Sequence, residues 1–181
     1  MFSFRRSKSK REKNISVPRI PHPAAFFHMP EEGHPHEGTW LQWPHDYGWD
    51  HQHVKRYEAS WIAMTRALHK GERVHIIVYD RQEKDRVETL LDVGEGLTMT
   101  QIDFHIFMTD DVWIRDNGPI FVFGRDDNTL CITNWSFNGW GGKADYYYDN
   151  YIPLKVSHAL NIPAVDIPMV HEGGSVEVDG R

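Results

Sequence analysis

The sequence predicts an α/β fold, and three observations carry that prediction. Val54, Tyr57, Trp61, Met64 and Leu68 recur at three- and four-residue spacing, which places them on one face of a helix. Arg73 to Tyr79 follows as an apolar run rich in β-branched residues, the pattern of a buried strand. Further helical and strand-like segments then alternate along the chain, and such alternation builds layered α/β domains.

Taken in order, the elements begin after a proline-marked boundary. Pro18, Pro21 and Pro23 close a basic segment, so residues 1–25 read as a disordered tail and residues 26–181 as the folded region. Residues 26–49, rich in His, Pro and Trp, read as short strands and loops; Thr39 to Trp43 is a candidate strand stopped by Pro44. Asp50 is positioned to cap the first helix. His69 and Lys70 suit its negative C-terminal end, and Gly71 suits the residue just beyond it. Asp80 and Glu83 form a D-x-x-E capping pattern for a second helix, with Val87, Leu90 and Leu91 as its apolar face and Gly94 and Gly96 as its end. A strand is expected at 101–107, then a hairpin of 120–123 with 130–135 around the polar turn 124–128. Residues 138–142 read as a loop, 149–160 as a helix starting near Pro153, and 165–170 and 175–178 as strands.

Bulk properties exclude several classes. The chain has 181 residues, 40% of them hydrophobic and 13% aromatic, which suits one domain with its own core. No apolar run is long enough to span a bilayer. A single cysteine, Cys131, precludes an internal disulfide framework and fits a reducing cytoplasm. Its place between Leu130 and Ile132 reads as an ordinary buried thiol. The net charge of −6 conceals an asymmetry: residues 1–20 carry seven Lys/Arg and one Glu (+6), leaving −12 on residues 21–181. An acidic body attracts cations and repels phosphates, which argues against a nucleic-acid partner and for a cationic substrate. The basic start lacks an apolar core and so is no secretory signal. Nine of the twelve His lie between His22 and His75, including His34-x-His36 and His51-x-His53. Such pairs can bind Zn or Ni, but no Cys accompanies them, and scattered loop and helix-face histidines are the plainer account.

The chemistry concentrates in one segment, Thr109-Asp110-Asp111-Val112-Trp113-Ile114-Arg115-Asp116-Asn117-Gly118-Pro119. It reads as a loop between strands, where functional groups tend to sit. A carboxylate beside an aromatic wall suits a planar guanidinium: the carboxylate accepts two parallel N–H bonds and the indole face offers cation–π contact. The same spacing also allows a structural reading, with Arg115 and Asp116 pairing locally or capping a turn.

Four blocks resemble the agmatine deiminase/peptidyl-arginine deiminase family. The first joins Met29-Pro30-Glu31-Glu32, Pro35-His36-Glu37 and Thr39-Trp40-Leu41-Gln42-Trp43-Pro44-His45. The second runs from Asp111 to Pro119, the third from Trp135 to Lys143, and the fourth from Glu172 to Gly180 through Glu172-Gly173-Gly174. The resemblance implies a pentein-type fold, a propeller of ββαβ modules around a central site, here an incomplete ring. It implies hydrolysis of a guanidino group to a ureido group plus ammonia, without metal or organic cofactor. Agmatine, giving N-carbamoylputrescine on the route to putrescine, and arginine side chains in peptides are the implied substrates. Carried over by position, Asp116 is the catalytic, guanidinium-binding carboxylate, Trp113 lines the substrate pocket, and Glu172 is a further substrate-binding candidate. Arg115 orders the loop, and His36 and Trp140 line or support the pocket.

Two departures stand against the family pattern. Gly33 replaces a bulky group, which loosens one edge of the pocket. The family's His-x-Asp segment and late nucleophilic Cys do not occur in these residues, so the chain alone is expected to be inactive. Thiolate attack on the guanidinium carbon and protonation of the departing ammonia both need those groups. Two other readings stay open: a non-catalytic guanidinium- or partner-binding remnant, prone to self-association or to pairing with a complementing C-terminal part, and a His-rich metal module.

Overall fold

The computed structural model describes residues 27–46, 51–92 and 99–180. The expected tail over 1–25, the cap Asp50 and the terminators Gly94 and Gly96 lie outside the described residues. After the two-residue strand β1 (Phe27–His28), the first unit runs β2 (Gly38–Gln42), α1 (His51–Leu68), β3 (Arg73–Val78), α2 (Arg81–Asp92) and β4 (Ile102–Ile106). Helical crossovers leave room for parallel pairing, and β2, β3 and β4 form a parallel sheet in that order.

β3 is the central strand, buried from Val74 to Val78. Its alternation serves two cores. Val74, Ile76 and Val78 join Leu41, Trp43, Val87, Leu91 and Ile102 beneath the two helices. Ile77 points to the opposite face and packs with Ile132, Ile152, Val156 and Ala164 of the second unit. On that same face Trp40 stacks on His75 with ring centroids 4.4 Å apart. His75 Nδ1 lies 3.1 Å from His105 Nε2. Burial, aided by His75, pushes His105 down to about 4.

The α2 start matches the sequence reading, since the Glu83 N–H donates to Asp80 Oδ1 at 2.8 Å. The inward face of α1 matches in part, with Val54 buried and Trp61 and Leu68 packed against the core. Tyr57 and Met64 are 40% and 37% exposed, whereas Val54, Glu58, Thr65 and His69 are buried. Glu58 takes an inward place because it has partners there. Its Oε1 accepts from Trp43 Nε1 at 2.9 Å and from Arg86 Nη2 at 2.5 Å. A carboxylate paired in this way displaces an apolar residue from the face that periodicity assigns to it.

The second unit begins with α3 (Ile114–Asn117), then β5 (Ile120–Gly124) and β6 (Leu130–Ser136), which form the expected antiparallel hairpin. Asn128 takes a left-handed φ of 56° in its turn. The brief turn α4 (Gly139–Gly142) precedes α5 (Ile152–Leu160), which opens with Pro153 in its first turn and closes on left-handed Asn161. α5 returns the chain to β7 (Ala164–Val170), parallel to β6, and the sheet order is β1-β5-β6-β7. The expected strand over 175–178 does not form. Residues 173–175 make a 3-10 turn in which Ser175 N–H and Oγ–H both donate to the Glu172 carbonyl. Those donors are therefore unavailable to a strand ladder. Among the described residues no helix is long and apolar enough to cross a membrane.

Candidate functional site

Residues 107–119 link the two sheets. The segment is not all loop: Ile114–Asn117 closes one helical turn, with the Asn117 and Gly118 N–H groups donating to Trp113 and Ile114 carbonyls at 3.0 and 2.9 Å. A Cβ on Gly118 would lie 2.3 Å from the Ile114 carbonyl oxygen, so glycine is needed for the turn to close this tightly. Ile114 packs into the core between the two units and pins the turn from below.

The front of the segment is held by a buried carboxylate. Asp149 is fully buried. Its Oδ1 accepts from Gln42 Nε2 at 3.0 Å and from the Asp110 N–H at 2.9 Å, and its Oδ2 accepts from the Asp111 N–H at 3.1 Å. Asp110 returns the arrangement, its Oδ2 accepting from the Tyr148 and Asp149 N–H groups. Gln42 Nε2 also donates to the Asp111 carbonyl. Burial pushes Asp149 up to about 7 against the lowering effect of these donors. Behind it His45 Nε2 meets Thr109 Oγ1 at 3.0 Å, and Lys155 Nζ donates to the Met108 carbonyl at 3.2 Å.

The back of the segment presents Asp116. Its Oδ1 accepts the Gly174 N–H at 3.1 Å and its Oδ2 accepts Trp140 Nε1–H at 3.3 Å. Each oxygen thus has one protein donor and retains acceptor capacity. A Cβ on Gly173 would lie 2.3 Å from the Arg115 carbonyl oxygen, and one on Gly174 would lie 2.1 Å from Asp116 Oδ1. The two glycines therefore serve to let the Glu172-Gly173-Gly174 backbone dock on α3. Trp140 reaches Asp116 from a left-handed backbone, φ 55°, in the turn capped by Asn138, whose Oδ1 accepts the Gly141 N–H at 2.8 Å. Phe137 meets its ring edge-on, 5.2 Å between centroids.

The sequence candidates fall as follows. Trp113 immediately precedes α3 and is 50% exposed, an aromatic face open to solvent. Glu172 is half-buried at the start of the docked turn. Arg115 does not pair with Asp116. It donates to Glu32 Oε1 at 2.5 Å, tying α3 to the 29–32 block. Trp140 joins the site. His36 does not: it lies before β2 and pairs with Glu72, just before β3, at 2.5 Å, at the opposite end of the parallel strands from the Gln42–Asp111 contact. Cys131 is buried in β6, and burial pushes its thiol up. Among the described residues no cluster of three or more His, Cys, Asp or Glu side chains is arranged to hold a metal ion.

Sequence reading missed Asp149, the anchoring roles of Gln42 and Asp110, and Asn117. Asn117 is buried, and neither its amide oxygen nor its amide nitrogen has a partner among the described residues. Nothing in the run Tyr146-Tyr147-Tyr148-Asp149 marks its aspartate as buried.

The chain thus couples a parallel β-α unit to a β-hairpin-α-β unit, with an aromatic-flanked carboxylate on the segment that joins them. Residues 28–181 match the model of the Porphyromonas-type peptidyl-arginine deiminase family, and the chain belongs to that family. It is 33% identical over 160 residues to a Streptomyces coelicolor protein provisionally named agmatine deiminase, covering 86% of this chain and 44% of that protein. A Selenomonas ruminantium protein with the same provisional name is 33% identical over 162 residues, covering 86% of this chain and 42% of that protein. The solved agmatine deiminase of Enterococcus faecalis superposes with a TM-score of 0.78 at 25% identity, covering 91% of this chain and 45% of that one. The chain spans less than half the length of these relatives.

Proposed function

We propose that these residues form the guanidinium-recognising part of an agmatine deiminase-like hydrolase, an enzyme converting a guanidino group to a ureido group plus ammonia. Agmatine is the substrate that the provisional names of the relatives favour, with N-carbamoylputrescine as product. The observation that carries the reading is the Asp116 carboxylate, aimed by Gly174 N–H and Trp140 Nε1–H on the turn that follows exposed Trp113. Asp116 accepts the planar cation's N–H groups, Trp113 offers its ring face, and Glu172 adds negative charge at the docked turn.

These residues bind but do not turn over. Hydrolysis through a covalent intermediate needs an accessible thiolate, and the one cysteine, Cys131, is 1% exposed. The nucleophile and proton donor that turnover needs are not supplied by these residues. A titration of agmatine into the chain tests the reading: saturable binding that Asp116→Asn weakens about tenfold or more supports it. Binding unchanged by that substitution removes Asp116 from the site.

The family description favours a second reading, arginine side chains of peptides as substrate. Titration with a blocked arginine amide beside agmatine separates the two. Tighter binding of the blocked amide would put the peptide reading first.

A further inference from the structure

We propose that Asp149, together with Gln42, is a positioning residue for the cation site, holding the Asp110–Asp111 backbone so that Trp113 and Asp116 stand correctly. The proposal rests on the functional reading above and deepens it.

The geometry supports a positioning role rather than general packing. Asp149 is fully buried, and all of its side-chain bonds given above go to Asp110 N–H, Asp111 N–H and Gln42. Two backbone donors and one side-chain amide converge on two oxygens, a fork that fixes both the place and the tilt of the Asp110–Asp111 peptide. Gln42 adds a second constraint, since its Nε2 donates to Asp149 and to the Asp111 carbonyl. Two residues beyond Asp111 stands Trp113, and α3 starts directly after it. An error in the Asp111 peptide plane is therefore transmitted to the ring face and the carboxylate with little intervening backbone to absorb it.

A buried carboxylate used only for packing is costly, and an apolar residue fills space without that cost. Burial here is offset by donors that belong to the functional loop. The charged groups facing Asp149 are Asp110 and Asp111 from the loop, and Lys155 of α5 donates to the adjoining Met108 carbonyl. The two loop acids raise Asp149 further, so the strength of the fork depends on pH.

The test uses the full chain with Asp149→Asn and Gln42→Met. Asparagine offers an amide N–H toward a backbone N–H, so one acceptor is lost. Methionine keeps the volume of Gln42 but removes both donations. Agmatine titrations from pH 5.5 to 8.5 are paired with amide hydrogen exchange. The expected result is about a tenfold weaker affinity in each variant, altered dependence on pH for Asp149→Asn, and faster exchange confined to residues 110–117. Lowered thermal stability with affinity and local exchange unchanged would overturn the proposal, because Asp149 would then be structural only. If Asp149→Asn does not fold, Gln42→Met alone decides by the same readouts. If the unaltered chain does not bind agmatine, the functional reading fails separately. Exchange at 110–117 still decides the positioning claim, faster exchange supporting it and unchanged exchange overturning it.

Discussion

The two ends of the segment from Thr109 to Gly118 are held in opposite ways. The front is tied by a fully buried carboxylate that spends its oxygens on protein donors. The back is tied by one donor per Asp116 oxygen, in a half-buried place with acceptor capacity to spare. The first arrangement gives rigidity and the second leaves acceptor capacity. The proposed guanidinium site needs both, because a carboxylate cannot be saturated by the protein and still receive a ligand.

Breaking the front end is expected to have the largest effect on stability. Asp149→Ala strands three buried donors and should cost on the order of 3 kcal/mol, read from urea denaturation. A loss below about 1 kcal/mol would mean the donors find other partners. Breaking the back end should leave stability nearly intact and weaken binding. Gly174→Ala places a Cβ 2.1 Å from Asp116 Oδ1, so the carboxylate or the docked turn must shift. Agmatine affinity should fall about tenfold with little change in midpoint. An unaffected titration would show that the close approach does not aim the carboxylate.

A subtler test uses pH. Asp149 is raised to about 7, so between about 4 and about 7 the folded chain holds a proton that the unfolded chain has released, and stability falls as pH rises. His105 is depressed to about 4 by burial and His75, so between about 4 and its ordinary 6.5 the unfolded chain binds the extra proton, and stability rises with pH. The two slopes oppose one another in one window. Denaturation midpoints should therefore climb more steeply with pH in Asp149→Asn, and fall with pH in His105→Gln, than in the unaltered chain. Parallel profiles for all three would refute both assignments. The smallest effect belongs to Arg115→Ala. Its partner Glu32 and Arg115 itself are 64% and 67% exposed, so thermal denaturation should shift by no more than about 0.5 kcal/mol.

The same contrast explains what was legible in the sequence. The crossover strands, the hairpin and the helix start at Asp80 follow from local period and capping chemistry, which neighbouring residues encode. On α1 the exposure of Tyr57 and Met64 is not legible, because Glu58 is kept inside by Trp43 and Arg86, residues outside its own helix. Trp113 and Asp116 are candidates because the resemblance marks them. Asp149 was not, because its burial depends on Gln42, 107 positions away. The close approach of Gly173 and Gly174 is to the protein's own α3 turn, which no local pattern in the sequence encodes.

The docking of Gly174 on Asp116 also has a consequence in time. The two residues are 58 positions apart, a stretch that takes roughly 3–12 s to synthesise at about 5–20 residues per second. For that interval Asp116 has been made and the donor that aims it has not. Trp140 arrives 24 positions after Asp116 and Asp149 follows it, so the recognition geometry assembles in stages, with the glycine turn last. A nascent chain halted between Pro119 and Gly174 carries the whole sequence from Thr109 to Pro119 and still lacks at least one of the two donors that aim its carboxylate.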